Sequence, residues 1–177
     1  MSGARSADHP KPGTALPSFA LPATDGSNVD LAAVPGRSLV IVYPWTGRPG
    51  LPNPPDWDAI PGAHGSTPEL EGFRDHAAAF VELGVGLFGL SRQTTEYHHE
   101  LVARLALPFP ILSDADGRLA EALDLPSFTT GGEIYLKRLT LLIGDGHIDR
   151  VFYPVPDPAG HAAEVLRVIT RLDRAIQ

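Results

Sequence analysis

Apolar positions along the chain fall into segments of two different periods, and the alternation of those segments predicts an α/β protein. From Ser18 to Leu31 two short extended stretches flank Asp25-Gly26, a dipeptide that favours a tight hairpin. Leu39 to Tyr43 is an unbroken apolar run rich in β-branched residues, the pattern of a strand buried on both faces and so central in its sheet. Pro68 to Leu83 then reads as a helix, with Leu70, Phe73, Ala77, Phe80 and Val81 on one stripe. Val85 to Leu90 predicts the next strand, and Thr94 to Leu105 the next helix, with Tyr97, Leu101 and Leu105 four apart. A short strand near Ile111 precedes a helix over 116–123 that carries Leu119 and Leu123. Leu139 to Ile143 and Ile148 to Tyr153, separated by Gly144-Asp145-Gly146-His147, predict antiparallel neighbours. A last helix, Ala159 to Ile176, places Ala162, Val165, Leu166, Ile169 and Leu172 on one face.

Strands alternating with helices, then a hairpin and a closing helix, describe an α/β sandwich with a mixed central sheet and an N-terminal hairpin, most simply in a thioredoxin-like topology. Residues 1–14 lack periodicity and read as a flexible arm, with order beginning near Leu16 and a single domain over 15–177. Net charge is −7, from 14 Lys and Arg against 21 Asp and Glu, so there is no chain-wide basic field for nucleic acid. No apolar run approaches the roughly 20 residues that span a bilayer, and no secretion signal is apparent. A cytoplasmic address is expected. Cysteine is absent, which removes disulfides, thiolate ligands and any thiol nucleophile.

Residues 44–65 connect the central strand to the first long helix, a span beyond the ~12 to 15 residues at which unstructured connections become uncommon. Six prolines and both tryptophans of the chain, Trp45 and Trp57, lie within it. Prolines lower the entropy lost on ordering and indoles supply large apolar faces, so the segment reads as an ordered lid. It leaves the carboxyl end of a strand, where α/β sheets bind ligands. Its last residues hold a Ser66-x-x-Glu69 capping pattern, with Thr67 followed by Pro68 as the alternative register. Either register leaves backbone donors and the positive end of a helix dipole facing the lid, a place for an anion or an oxyanion.

The chain resembles peroxiredoxins of the bacterioferritin-comigratory or alkyl hydroperoxide reductase and thiol-specific antioxidant group over about Leu16 to Ile169. The resemblance lies in Val42-Tyr43-Pro44, in the block from Gly65 to Asp75, in Phe88-Gly89-Leu90-Ser91, in Phe109 to Asp114 and in Arg138 to Ile148. The second block is similar to the family's Gly-Cys-Thr-x-Glu-x-Cys-x-Phe-Arg-Asp. The resemblance implies a peroxiredoxin-type fold, with a peroxidatic cysteine in the first helical turn served by a threonine and an arginine. It places Ser66 at that cysteine and Glu71 at a resolving cysteine, and Arg138 falls on the arginine. Ala63 stands where the threonine belongs, and Thr46 is stranded beyond the long loop.

Serine cannot inherit the reaction: peroxide reduction needs a nucleophile ionised near neutral pH that ends as a restorable sulfenic acid. Thiol peroxidase chemistry is therefore excluded for the chain as written. Three functions stay open. A rebuilt pocket would bind or transform a small oxygenated molecule, a peroxide, carboxylate or enolate-like species. Alternatively, the chain is a hydroperoxide reductase seen as a cysteine-to-serine variant, or a scaffold or sensor without turnover. In the first case Ser66, Arg138 and His64 supply the chemistry, and Tyr43, Pro44, Trp45, Thr46, Trp57, Gly65, Thr67 and Glu71 line the pocket. A Ser66–His64 hydrolase, with Glu69 or Glu71 as orienting group, is the less economical version, because a capping serine already has a structural task.

No metal or cofactor is expected. His98-His99, flanked by Glu96 and Glu100, diverge around a helix and read as a solvated face. His147 and His161 read as surface residues, and Gly131-Gly132 as a flexible turn. Phe128, Tyr135 and Phe152 read as core or dimer-edge aromatics, and a homodimer is compatible with the chain.

Overall fold

A computed structural model describes residues 9–176. The strands are β1 (Ala20–Pro22), β2 (Asn28–Asp30), β3 (Arg37–Val42), β4 (Val85–Ser91), β5 (Ile111–Ser113), β6 (Ser127–Thr130), β7 (Glu133–Leu136), β8 (Leu139–Gly144) and β9 (His147–Phe152). The helices are α1 (Ser66–Asp75), α2 (Ala77–Glu82), α3 (Thr95–Leu105), α4 (Arg118–Leu123) and α5 (Pro158–Ile176). The main sheet runs β5-β4-β3-β8-β9. β3 is central, pairing in parallel with β4, Leu39 opposite Leu87, and antiparallel with β8, Leu39 opposite Leu142. The β-branched run thus lies where both faces must be apolar.

Alternation along β3 and β8 divides the core into two layers. Val40, Val42, Leu141 and Ile143 face the β1–β2 hairpin and α4, against Leu21, Leu119 and Leu123. Leu39, Ile41, Tyr43 and Leu142 face α1, α3 and α5, against Leu70, Phe73, Leu101, Val165 and Ile169. This is the α/β sandwich with a mixed sheet and an N-terminal hairpin. No helix among the described residues is long and apolar enough to cross a membrane.

Several local expectations change. The chain is already anchored before Leu16: Gly13 N–H donates to Ile148 O at 2.7 Å, and His9 packs on Tyr153 with ring centroids 5.3 Å apart. Residues 1–8 of the expected arm lie outside the described residues. The long helix breaks at His76, whose φ of −102° and ψ of 6° leave the helical region. The rotation there carries Val81 off the apolar stripe, to 73% exposure. Gly131 and Gly132 are the turn of the β6–β7 hairpin, both with positive φ. His98 and His161 are not surface groups: both are buried, with Nε2 at 2.7 Å from Ser91 Oγ and 2.9 Å from Thr140 Oγ1 respectively.

Candidate functional site

Beyond β3 the chain turns over the carboxyl edge of the sheet, and its own polar groups fix the start of the lid. Thr46 N–H donates to Gln93 Oε1 at 3.2 Å, and Tyr97 hydroxyl donates to Thr46 O at 2.8 Å. The Arg48 guanidinium lies 4.3 Å from the Tyr97 ring centroid, and Arg104 Nη2 donates to Gly47 O at 2.8 Å. Midway, Trp57 is 3% exposed, with ring centroids 5.4 Å from Trp45, 5.7 Å from Phe128 and 5.1 Å from Tyr135. Phe128 and Tyr135 therefore form the wall on which the lid is seated. Thr130 Oγ1 adds a hydrogen bond to Pro55 O at 2.6 Å.

The far end of the lid is gathered by Arg138, the residue before β8. Its Nη2 donates to the carbonyls of Gly62, Ala63 and His64 at 3.1, 3.2 and 3.1 Å. Its Nη1 donates to Ser66 Oγ at 3.0 Å and to Glu69 Oε1 at 2.8 Å. This geometry replaces the expected capping box. Gly65 is the N-cap, with φ of 114° and no side-chain cap, and Ser66 is the first helical residue. Glu69 does not reach back to the helix start; it is fully buried against the guanidinium. Loss of water pushes its carboxyl up, to about 7, against the pull of Arg138. Glu69 Oε2 and Arg138 Nε are buried without hydrogen-bond partners. Burial raises the Tyr43 phenol above its ordinary value.

A cavity of about 230 Å³ lies over this helix start. Trp45, Thr46, Trp57, His64, Gly65, Ser66 and Thr67 line it, together with Gly47, Asn53, Ala63 and Pro68. Thr46 is thus not stranded: the lid folds back and returns it to the side of Ser66. Three expected lining residues lie elsewhere. Tyr43 is buried beneath the sheet end, Pro44 borders a separate cleft, and Glu71 lies along α1 with Oε2 3.9 Å from Arg74 Nη1. His64 turns to Asp58, Nε2 to Oδ1 2.5 Å, with both side chains exposed. Asn53, Asp58 and Gln93 had no motif to announce them, and Glu69 was expected as a cap or an orienting group rather than as the charge partner of Arg138.

The N–H groups of Ser66 and Thr67, in the first turn, have no intrahelical acceptor. Since Ser66 Oγ accepts from Arg138, its own proton remains available for donation. The site can therefore offer several donors to one small oxygen acceptor. It offers no free cation, because the Arg138 charge is balanced by Glu69 in place. No cluster of three or more His, Cys, Asp or Glu able to hold a metal occurs among the described residues.

The redoxin family profile matches residues 11–169. Peroxiredoxin Bcp of Escherichia coli K12 is 31% identical over 149 residues, covering 80% of this chain and 85% of that protein. The crystal structure of peroxidoxin BcpB from Mycobacterium tuberculosis superposes with a TM-score of 0.74 at 25% identity, over 96% of this chain and 99% of that one. A cysteine-to-serine mutant of PrxQ from Xylella fastidiosa also superposes with a TM-score of 0.74, at 24% identity and the same coverage.

Proposed function

The chain belongs to the redoxin family, as a peroxiredoxin of the bacterioferritin-comigratory type, and from that premise we propose that the cavity beside Ser66 binds a small oxygenated molecule, a hydroperoxide or a carboxylate, without thiol redox chemistry. The observation that carries this reading is the Arg138 Nη1 contact to Ser66 Oγ at 3.0 Å. It orients the hydroxyl at the mouth of a roofed cavity, beside backbone donors at a helix start. The apolar walls are Trp45 and Trp57; the polar floor is the first turn of α1.

Covalent catalysis through Ser66 finds no support in this arrangement. The partner of Ser66 Oγ is a cation that takes no proton, and His64 is directed to Asp58. The reading is accordingly recognition of a ligand, with no covalent step at Ser66. Titration of the protein with tert-butyl hydroperoxide and with acetate, followed by amide NMR, tests this. Saturable shifts at Ser66 and Thr67 are expected. Ser66→Ala should weaken binding roughly three- to tenfold, the worth of one neutral hydrogen bond. Equal binding by both proteins, or shifts confined to other residues, refutes the assignment.

A second reading, a thiol-dependent hydroperoxide reductase in which Ser66 stands for cysteine, is favoured by the same Arg138 contact, since a donor rests where a thiolate would need one. Peroxide consumption by Ser66→Cys with dithiothreitol as reductant separates the two. Little or none is expected, because Ala63 and Glu71 depart from the family pattern as well.

A further inference from the structure

The ion pair beneath the Ser66 cavity is incomplete on both sides. Arg138 Nη1 donates to Glu69 Oε1 at 2.8 Å, and the same nitrogen donates to Ser66 Oγ at 3.0 Å. The contact is single and end-on, and it leaves Glu69 Oε2 and Arg138 Nε buried without partners. At 0% and 4% exposure, water does not supply the missing contacts. A carboxylate with one bare oxygen in a dry site is the form that burial penalises. Glu69 is raised accordingly, to about 7, so it changes charge near neutral pH.

The cavity feels that change through one hydroxyl. Ser66 lines it, and Ser66 Oγ stands between the guanidinium and the space above. With Glu69 ionised the two buried charges cancel, and the cavity offers hydrogen-bond donors alone, which suit a neutral oxygen acceptor. With Glu69 protonated the guanidinium is uncompensated, and its field favours an anion. Given the Ser66 cavity as a ligand site, we propose that Glu69 sets the charge of the ligand it takes: a neutral acceptor when the carboxyl is ionised, a small monocarboxylate when it is protonated. Binding of the carboxylate is then coupled to uptake of one proton from solvent at Glu69, and each favours the other equally.

The titratable groups packed around the pair keep one charge state across neutral pH. Burial pushes the Tyr43 phenol, after β3, further up. His161 of α5, within electrostatic reach of Arg138, is held down, to about 4, as is His98 of α3 behind Tyr43. His64 is the one other titratable side chain that lines the cavity, and it is paired with Asp58.

Acetate, ionised from pH 6 to pH 8, and tert-butyl hydroperoxide, neutral over the same range, are the probes, read by the amide resonances of Ser66 and Thr67. Acetate should bind about fivefold more tightly at pH 6 than at pH 8, the share of a roughly tenfold charge effect that falls inside that window. The hydroperoxide should bind equally at both. Glu69→Gln keeps an acceptor for Arg138 and cannot ionise, so it should bind acetate at both pH values as tightly as the native chain does at pH 6. His64→Gln should keep the native dependence on pH. Equal acetate affinity at pH 6 and pH 8 in the native chain overturns the proposal without need of a variant, and leaves the cavity reading intact. A dependence that survives in Glu69→Gln, or is lost in His64→Gln, assigns the proton to another group and overturns it too. Shifts at Ser66 and Thr67 from neither probe overturn both.

Discussion

Arg138 is 4% exposed, with five acceptors around its two terminal nitrogens, and Glu69 is the one among them that carries charge. Removing the guanidinium would strand a buried carboxylate and release the lid carbonyls together. Arg138→Met should therefore cost about 3 to 5 kcal/mol in urea unfolding. The double variant Arg138→Met, Glu69→Met should cost less than the sum of the two singles, because neither charge is then left alone. Strictly additive costs would show that the pair is not coupled. The Ser66-x-x-Glu69 pattern was legible as a helix start, and the helix does start there. Its electrostatic use was not, because the partner lies 69 residues away and only the fold brings it near. Capping is a local competition; a buried cation of opposite charge outcompetes the backbone N–H for the same carboxylate.

The elements themselves were largely readable, since strand and helix periods are properties of contiguous residues. β3, β4, β8 and β9 appear within a residue or two of their apolar runs, and Asp25-Gly26 and Gly144 to His147 are turns as their composition demanded. The break at His76 and the β6–β7 hairpin were not readable: one interrupts an intact stripe, the other lacks alternation. The lid was recognisable as ordered, but its anchors come from α3, β6, β7 and β8, all distant in sequence. Its junction with α1 makes the most exacting local demand. Gly65 sits at φ of 114°, and a Cβ there would lie 2.7 Å from Pro158 Cγ at the start of α5. Gly65→Ala should cost about 2 kcal/mol or more by denaturant unfolding, from backbone strain and the collision together. Adding Pro158→Ala should recover only part, since the strain remains. Full recovery would make the effect purely steric.

At the scale of the whole molecule, acid sensitivity follows from two histidines in one core layer. His98, on α3, packs toward Tyr43 with ring centroids 6.3 Å apart; His161, on α5, lies edge-on to Phe73 at 5.7 Å. Burial lowers both, to about 4, helped by His99 for the first and Arg138 for the second. Because each native pKa lies below the ordinary 6.5, the unfolded chain binds protons between those values that the native chain refuses. The stability each neutral imidazole preserves is complete above about pH 6.5 and is lost as pH falls toward 4, about 3 kcal/mol per residue from a displacement of some 2.5 pH units. Two carboxyls act in the opposite sense, since burial raises Glu69 and Asp114 and acid therefore relieves them. Raw acid titration mixes these contributions, whereas a difference between proteins isolates one. Unfolding free energies of the native chain and of His98→Gln, measured from pH 7 to pH 4, should converge as pH falls, with the difference concentrated below pH 6.5. Gln keeps a hydrogen bond to Ser91 within reach and cannot titrate, so parallel curves would mean that His98 takes up its proton while still folded, and that the layer beneath the lid is wetter than its packing implies.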